Sequence, residues 1–167
     1  MNYKINIQIA CEDKIPVTAK TIRQWLELTL RATTPLLPAR DNIQRAELTV
    51  RLTTIEEITA LNTTYRHQPK PTNVLAFPSQ LPDTITLKYP LLGDLVICPA
   101  ILEKEHLEQK RPLIAHWAHI VIHGALHLLG FDHIDDKDTA LMQTEEIKLL
   151  AELGFENPYH HEENNLE

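Results

Sequence analysis

Three histidines in the segment 123–133 have a spacing that suits a single metal ion. His123 and His127 are four residues apart in an apolar stretch that predicts a helix, so both imidazoles would leave one face of it about one turn apart. Gly130 can adopt the left-handed conformation that ends a helix and turns the chain back, which would bring His133 to the same ion. The alternative is that these histidines are packed or half-exposed without a metal. We predict one zinc ion per chain, held by His123, His127 and His133.

The number of ligands bears on what such a site does. Structural zinc sites are closed by four protein ligands, whereas catalytic sites usually have three and keep one position for water, whose pKa falls to about 7. Three histidines without a cysteine partner therefore predict an open, catalytic site. The spacing resembles the metzincin protease signature H-E-x-x-H-x-x-G-x-x-H, but Gly124 stands where those proteases have their glutamate base. Peptide hydrolysis without that base would be poor, so a metalloprotease is an alternative only.

The composition is that of an ordinary globular protein. The 167 residues are 43% hydrophobic and 23% charged, which fits one domain with a substantial core. No apolar run reaches the roughly 20 residues of a membrane helix, and the first residues do not form a signal peptide, so we expect a cytoplasmic protein without membrane contact. Cys11 and Cys98 form no C-x-x-C pair and are expected to be free thiols.

The formal net charge of −7 argues against general affinity for nucleic acid, which depends on lysine and arginine near phosphates. It does not exclude an enzyme that acts on RNA, because a local basic cluster can hold a few phosphates on an otherwise acidic surface. Lys70 could contribute to such a cluster, although isolated surface lysines are usually only solvated. The charge therefore lowers the expectation of RNA binding without deciding it.

Hydrophobic periodicity predicts the elements that must hold the histidines in place. Apolar patterns predict strands over 3–9, 46–52, 74–77 and 91–98. Helical spacing and capping signals predict helices after Thr18 and Thr54, and over 99–107, 112–129 and 138–153. This mixture predicts a single α+β domain over residues 1–155, with a twisted sheet of about four strands covered by helices and a metzincin-like zinc-binding helix. The polar residues 156–167 predict a C-terminal tail.

Four segments together carry a family pattern. They are L-N-x-x-Y-R at 61–66, P-T-x-V-L-x-F-P at 71–78, L-G-D-L-V-I-C at 92–98 and H-G-A-L-H-L-L-G-F-D-H at 123–133. In this order they resemble the YbeY family of bacterial endoribonucleases, and the resemblance extends from residue 61 to about residue 154. The chain departs from the family at Asn73, where aspartate is usual, and at Ala76, where serine is usual.

The resemblance implies an activity, a cofactor and partners. It implies a zinc-dependent, single-strand-specific endoribonuclease that acts on ribosomal RNA, notably at the 3′ end of the small-subunit (16S) RNA, and that takes part in ribosome quality control. It also implies contacts with the small ribosomal subunit and its assembly factors. Mapped onto this sequence, the family roles make Arg66 and His123 the residues most closely tied to activity, with His123, His127 and His133 as the metal ligands.

Several side chains could assist such a site. Arg66 is expected to end a short helix just before a proline-rich loop that could approach the metal. Its guanidinium could bind a phosphate and offset charge at phosphorus, although an arginine at a helix C-terminus is favourable by itself. His119 lies on the same side of its helix as His123 and, like Asp132, could orient a ligand or contact substrate. Glu146 is interpreted as surface charge on the last helix.

Two other classes of function stay open at this stage. One is a ribosome-assembly factor without catalytic activity, whose zinc is structural, and the acidic net charge favours it over the second. The second is the metzincin-like metalloprotease. For the nuclease itself, the residues do not choose between water and the 2′-hydroxyl of the RNA as the nucleophile.

Overall fold

The structure, a computed structural model, describes residues 2–33, 45–79, 91–132 and 134–159. In chain order its elements are β1 (Asn2–Ile9), α1 (Ala19–Thr33), β2 (Arg45–Leu52), α2 (Ile55–Arg66), β3 (Val74–Pro78), β4 (Leu91–Ile97), α3 (Pro99–Gln109), α4 (Leu113–Leu128) and α5 (Asp136–Glu152). None of these helices combines the length and the apolar content that a membrane crossing requires.

The four strands form one sheet in the order β1-β2-β4-β3. The first three are parallel to one another, and β3 lies antiparallel to β4 at one edge. The predicted α+β domain with a four-stranded sheet is therefore confirmed, including the short strand that starts at Val74. Parallel strands need helical crossovers, which is why helices cover both faces of this sheet.

The two faces of the sheet carry cores of different size. On the larger face, α1 and α4 pack against the strands around Leu26, Leu95 and Ile122, which are all fully buried, and α5 packs against α4 and α1. On the smaller face, Ile58 of α2 packs against Leu75 and the neighbouring β4 residues. The edge strand β3 contributes to both cores, since Val74 faces α4 and Leu75 faces α2. It thus lies between the two helices that carry the predicted site residues.

Gly93 in β4 allows the close approach of β3. Its φ is +137°, and a Cβ atom there would lie 2.1 Å from the carbonyl oxygen of Phe77. We expect Gly93→Ala to lower the free energy of unfolding by at least about 3 kcal/mol, since it combines backbone strain with a clash against main chain. Urea denaturation near pH 7 measures this loss.

Gly154 provides a matched control for that prediction. It also has a positive φ, of +86°, but a Cβ atom there would meet nothing within 4 Å. Gly154→Ala should therefore cost only about 1 kcal/mol, from conformation alone. Equal losses for the two variants would mean that the contact with Phe77 is not what requires glycine at position 93.

Candidate metal centre

Helix α4 brings His123 and His127 together as their spacing predicts. Both rings are half-buried, and the two Nε2 atoms lie 3.2 Å apart. Two nitrogen ligands on a tetrahedral zinc ion, each about 2.0–2.1 Å from the metal, would be separated by about 3.4 Å. The pair therefore has the spacing that one zinc ion needs, and its donor atoms are of the kind that zinc prefers.

The end of α4 also follows the prediction. Gly130 adopts a left-handed φ of +97°, and the N–H of Phe131 donates to the carbonyl of Leu126 at 3.0 Å. This reversal turns the chain back beside the helix end, as the return of a third ligand would require. The predicted ligand His133 itself lies outside the described residues, so its role stays a prediction.

A buried carboxylate lies behind the histidine pair. Glu146 of α5 is 1% exposed and accepts hydrogen bonds from His123 Nδ1 at 2.9 Å and from His119 Nε2 at 2.7 Å. The hydroxyl of Tyr159 donates to it as well. The interpretation of Glu146 as surface charge is therefore wrong. Its position four residues after Met142, within the apolar stripe of α5, was the signal that it faces the core.

Hydrogen bonds keep this carboxylate ionised. Burial by itself raises the pKa of Glu146, but the hydrogen bonds from His119 and His123 outweigh burial and lower the pKa to about 2. Because His123 uses Nδ1 to donate to Glu146, the lone pair of a neutral His123 is at Nε2, the atom that faces His127. This is the arrangement in which a carboxylate orients a metal-binding imidazole.

The same residues offer a second position for an ion. The donor atoms of His119, His123 and Glu146 lie within 4.8 Å of one another, so this His/Glu cluster could hold a metal. An ion there would replace the hydrogen bonds from both imidazoles to the carboxylate. An ion between His123 and His127 would leave those bonds in place. We therefore favour His123 and His127 as the metal ligands.

The hydrogen-bond network continues away from the histidine pair. His119 is nearly buried, and its Nδ1 lies 3.3 Å from Nη1 of Arg111, which is also 3.2 Å from Nδ1 of His116. His116 Nε2 contacts Glu105 at 3.0 Å, and the side-chain amide of Asn73 donates to the same carboxylate at 3.2 Å. Sequence reasoning named His119 as a candidate but did not find Arg111, because no local pattern marks it.

The other predicted site residues are placed differently. Arg66 and Lys70 are exposed, and no hydrogen bond or ion pair joins either side chain to another described residue. Arg66 ends α2, which packs on the face of the sheet opposite α4, although residues 67–73 lead from it to Val74 beside α4. Asp132 is exposed at the turn after α4. Their functional roles stay predictions.

Gly124 explains why this centre lacks the metzincin base. A Cβ atom at Gly124 would lie 2.9 Å from Leu95 Cδ2 and 3.2 Å from Val74 Cγ2. A side chain at this position would enter the packing between α4 and the sheet. A larger residue there, such as glutamate, would require the buried Leu95 and Val74 side chains to shift, which disfavours it.

The predicted C-terminal tail begins at Glu156, and its described part is packed. Tyr159 is half-buried, with its ring edge-on to His119 at 5.5 Å and its hydroxyl 3.2 Å from His119 Nε2. Residues 160–167 lie outside the described residues. Tyr159 therefore brings a side chain from beyond the last helix to the buried carboxylate.

Comparison with known proteins gives one consistent family. The family model for the endoribonuclease YbeY matches residues 7–154. Proteins described as endoribonuclease YbeY in the Corby, Lens and Paris strains of Legionella pneumophila are each 52% identical to this chain, over all 167 residues and the full length of both proteins.

A solved structure supports the fold. The solution structure of a Thermotoga maritima protein superimposes with a TM-score of 0.54 at 28% identity, covering 95% of this chain and 93% of the other. The full-length coverage in both comparisons means that no large region of this chain lacks a counterpart.

Proposed function

This chain belongs to the YbeY family of endoribonucleases and is a hydrolytic nuclease, and we propose that it cuts single-stranded RNA at a zinc ion held by His123, His127 and His133. The proposal includes ribosomal RNA as the substrate, in maturation of the 16S RNA 3′ end and in ribosome quality control. It also includes the small ribosomal subunit and its assembly factors as partners.

One observation carries the assignment of the metal. The Nε2 atoms of His123 and His127 lie 3.2 Å apart, while the Nδ1 of His123 donates to the buried Glu146. Two imidazole nitrogens at this separation, with an anionic carboxylate behind one of them, form the donor set of a zinc site with an orienting partner. The carboxylate also fixes the orientation of the His123 ring through this hydrogen bond.

Each residue has a distinct task in the proposed reaction. Glu146 fixes the tautomer and the ring orientation of His123, and His119 completes the hydrogen bonds of that carboxylate. When bound, the metal supplies Lewis-acid stabilisation of the charge that develops at phosphorus. Arg66, unpaired among the described residues, has its guanidinium available to bind a phosphate oxygen of the substrate. The ends of the products identify the nucleophile, since a 2′,3′-cyclic phosphate means attack by the 2′-hydroxyl.

The acidic surface fits a substrate that is delivered by partners. With a net charge of −7, the chain attracts RNA weakly over most of its surface. Ribosomal proteins and assembly factors can supply the missing attraction.

Both cysteines are free, Cys98 buried and Cys11 half-buried, as expected of a protein in the reducing cytoplasm.

Arg66→Ala tests the role of the arginine. If Arg66 stabilises charge at phosphorus, its removal should lower the single-turnover cleavage rate of a labelled single-stranded RNA by about 100-fold or more, with metal content unchanged. Arg31→Ala is the control for loss of an exposed arginine from the last turn of a helix, and it also removes the ion pair of Arg31 with Glu27. An Arg66→Ala enzyme as fast as the control would remove Arg66 from the mechanism.

A ribosome-assembly factor without catalytic activity would behave differently in the same cleavage assay. Metal-loaded protein of that kind would bind small-subunit particles but leave single-stranded RNA intact. Cleavage that is lost on chelation and restored by zinc contradicts this alternative. A metalloprotease is disfavoured by Gly124, which packs against the sheet where a base would be needed.

A further inference from the structure

A second cavity adjoins the metal centre. It has a volume of about 350 Å³ and is lined by residues that include Asn73, Arg111, His116, His119 and Tyr159. We call it the Arg111 pocket. Tyr159 also lines the smaller cavity formed in part by His123 and Glu146, and the ring of His119 lies 6.1 Å from that of His123 between centroids. The Arg111 pocket is therefore one imidazole ring away from His123.

Only Nη1 of the Arg111 guanidinium has hydrogen-bond partners among the described residues. Its Nη1 atom lies 3.2 Å from His116 Nδ1, 3.3 Å from His119 Nδ1 and 3.4 Å from the side-chain oxygen of Gln109. Among the described residues, Nε and Nη2 have no hydrogen-bond partner, and Arg111 forms no ion pair. These two nitrogens form the side-on edge of the guanidinium, which matches two oxygens of a phosphate.

Two carboxylates near Arg111, those of Glu105 and Glu146, are already engaged by other groups. Glu105 contacts His116 Nε2 and accepts hydrogen bonds from Asn73, and Glu146 accepts from His119 Nε2. Because a guanidinium can only donate, Nδ1 of each imidazole accepts from Arg111, and Nε2 of each ring faces a carboxylate. The two imidazole rings thus lie between the guanidinium and the two carboxylates. Burial lowers the pKa of Arg111, but an arginine remains charged, so the pocket holds one desolvated cation.

We propose that the Arg111 pocket binds a phosphate of the RNA backbone adjacent to the phosphate that is cut. This inference rests on the proposed nuclease function and names a local cationic contact on a chain whose net charge is −7. Arg111 holds the flanking phosphate through Nε and Nη2, while its Nη1 supports His119 and, through Glu146, the orientation of His123. The pocket therefore sets the register of the RNA on the metal centre.

The test compares Arg111→Gln with wild-type metal-loaded protein. The probe is a fluorescent, 2′-O-methylated single-stranded RNA of about ten nucleotides, checked on a gel for integrity, and binding is followed by anisotropy between low and high salt. We expect the Kd to rise about five- to tenfold and the slope of log K against log salt to fall by about 0.7, the value for one phosphate contact on a single strand. Metal content at saturating zinc should stay that of wild type, whereas the melting temperature should fall, because the buried His116 and His119 lose a donor.

Two further variants keep the result interpretable. Lys104→Gln removes one exposed positive charge from α3, where Lys104 pairs with Glu108, and should leave the salt slope unchanged. Arg111→Lys keeps the positive charge but cannot bind a phosphate in a bidentate manner. It should retain the salt slope of wild type, with a Kd between those of wild type and Arg111→Gln. If Arg111→Gln does not fold, the Arg111→Lys result decides: a wild-type Kd would overturn the proposal.

An experiment with inorganic phosphate distinguishes an RNA phosphate from free phosphate as the ligand of the Arg111 pocket. If free phosphate stabilises the wild type but not Arg111→Gln, and the RNA slope is unchanged, the pocket holds a free phosphate and the RNA proposal is overturned. An unchanged slope without a phosphate effect makes Arg111 purely structural and also overturns it. The anisotropy assay measures binding and not cleavage. A wild-type protein that binds RNA through Arg111 but does not cut RNA would therefore contradict the proposed nuclease function and not the proposed phosphate contact.

Discussion

Replacing His127 with alanine is expected to reduce bound zinc from near one ion per chain to near zero, and to lower RNA cleavage at least about 1,000-fold. The reason is that His127 supplies one of two Nε2 atoms only 3.2 Å apart, and two remaining ligands hold zinc poorly. Elemental analysis of purified protein measures the first effect, and single-turnover cleavage measures the second.

His119→Gln is the variant that separates the two positions for the ion. If the metal lies between His123 and His127, the His119→Gln protein keeps its zinc and His127→Ala loses it. If the metal lies in the cluster of His119, His123 and Glu146, the outcome is reversed. His67→Asn controls for loss of any histidine, since His67 is exposed at a left-handed helix cap that asparagine tolerates. Zinc retained in His127→Ala would contradict the proposed ligand set.

Glu146→Gln is expected to weaken zinc binding about 10- to 100-fold while the protein stays folded. An amide at this position can accept from one imidazole, but its NH2 group faces the N–H of the other. The ring of His123 then loses its anionic partner and its fixed tautomer. Competition with a chromophoric chelator measures the zinc affinity, and cleavage at saturating zinc should recover much of the lost rate.

Glu152→Gln is the control for that experiment, because Glu152 is an exposed carboxylate on the same helix. It should bind zinc as the wild type does. An unchanged affinity in Glu146→Gln would mean that the carboxylate is a core contact without influence on the metal. A complete loss at saturating zinc would make Glu146 a ligand itself and would favour the His119 cluster.

The local part of the centre was accessible to sequence reasoning. An α-helix places residues four apart on one face, so the approach of His123 and His127 follows from their spacing once the helix is recognised. Gly130 is similarly local, since a left-handed residue after a helix reverses the chain wherever it occurs. The four strands were predictable because a period of two and short apolar runs reflect the pleat of a single strand.

The surroundings of the histidines were not accessible in this way. Glu146 is 23 residues from His123, and Tyr159 is 40 residues from His119. Whether they meet depends on how α5 and the segment after it pack against α4. A carboxylate in an apolar stripe indicates burial, but it does not identify its partner. The interpretation of Glu146 as surface charge failed because helix periodicity describes a face and not what covers it.

The sequence by itself therefore determined the family, the α+β class and the histidine pair, because each depends on spacings of a few residues or on motifs kept in order along the chain. Only the tertiary structure decided that Glu146 orients His123 and that Arg111 links two imidazoles, those of His116 and His119, beside a second pocket. Buried polar groups must find hydrogen-bond partners, and those partners come from whichever elements the packing of the core brings into contact.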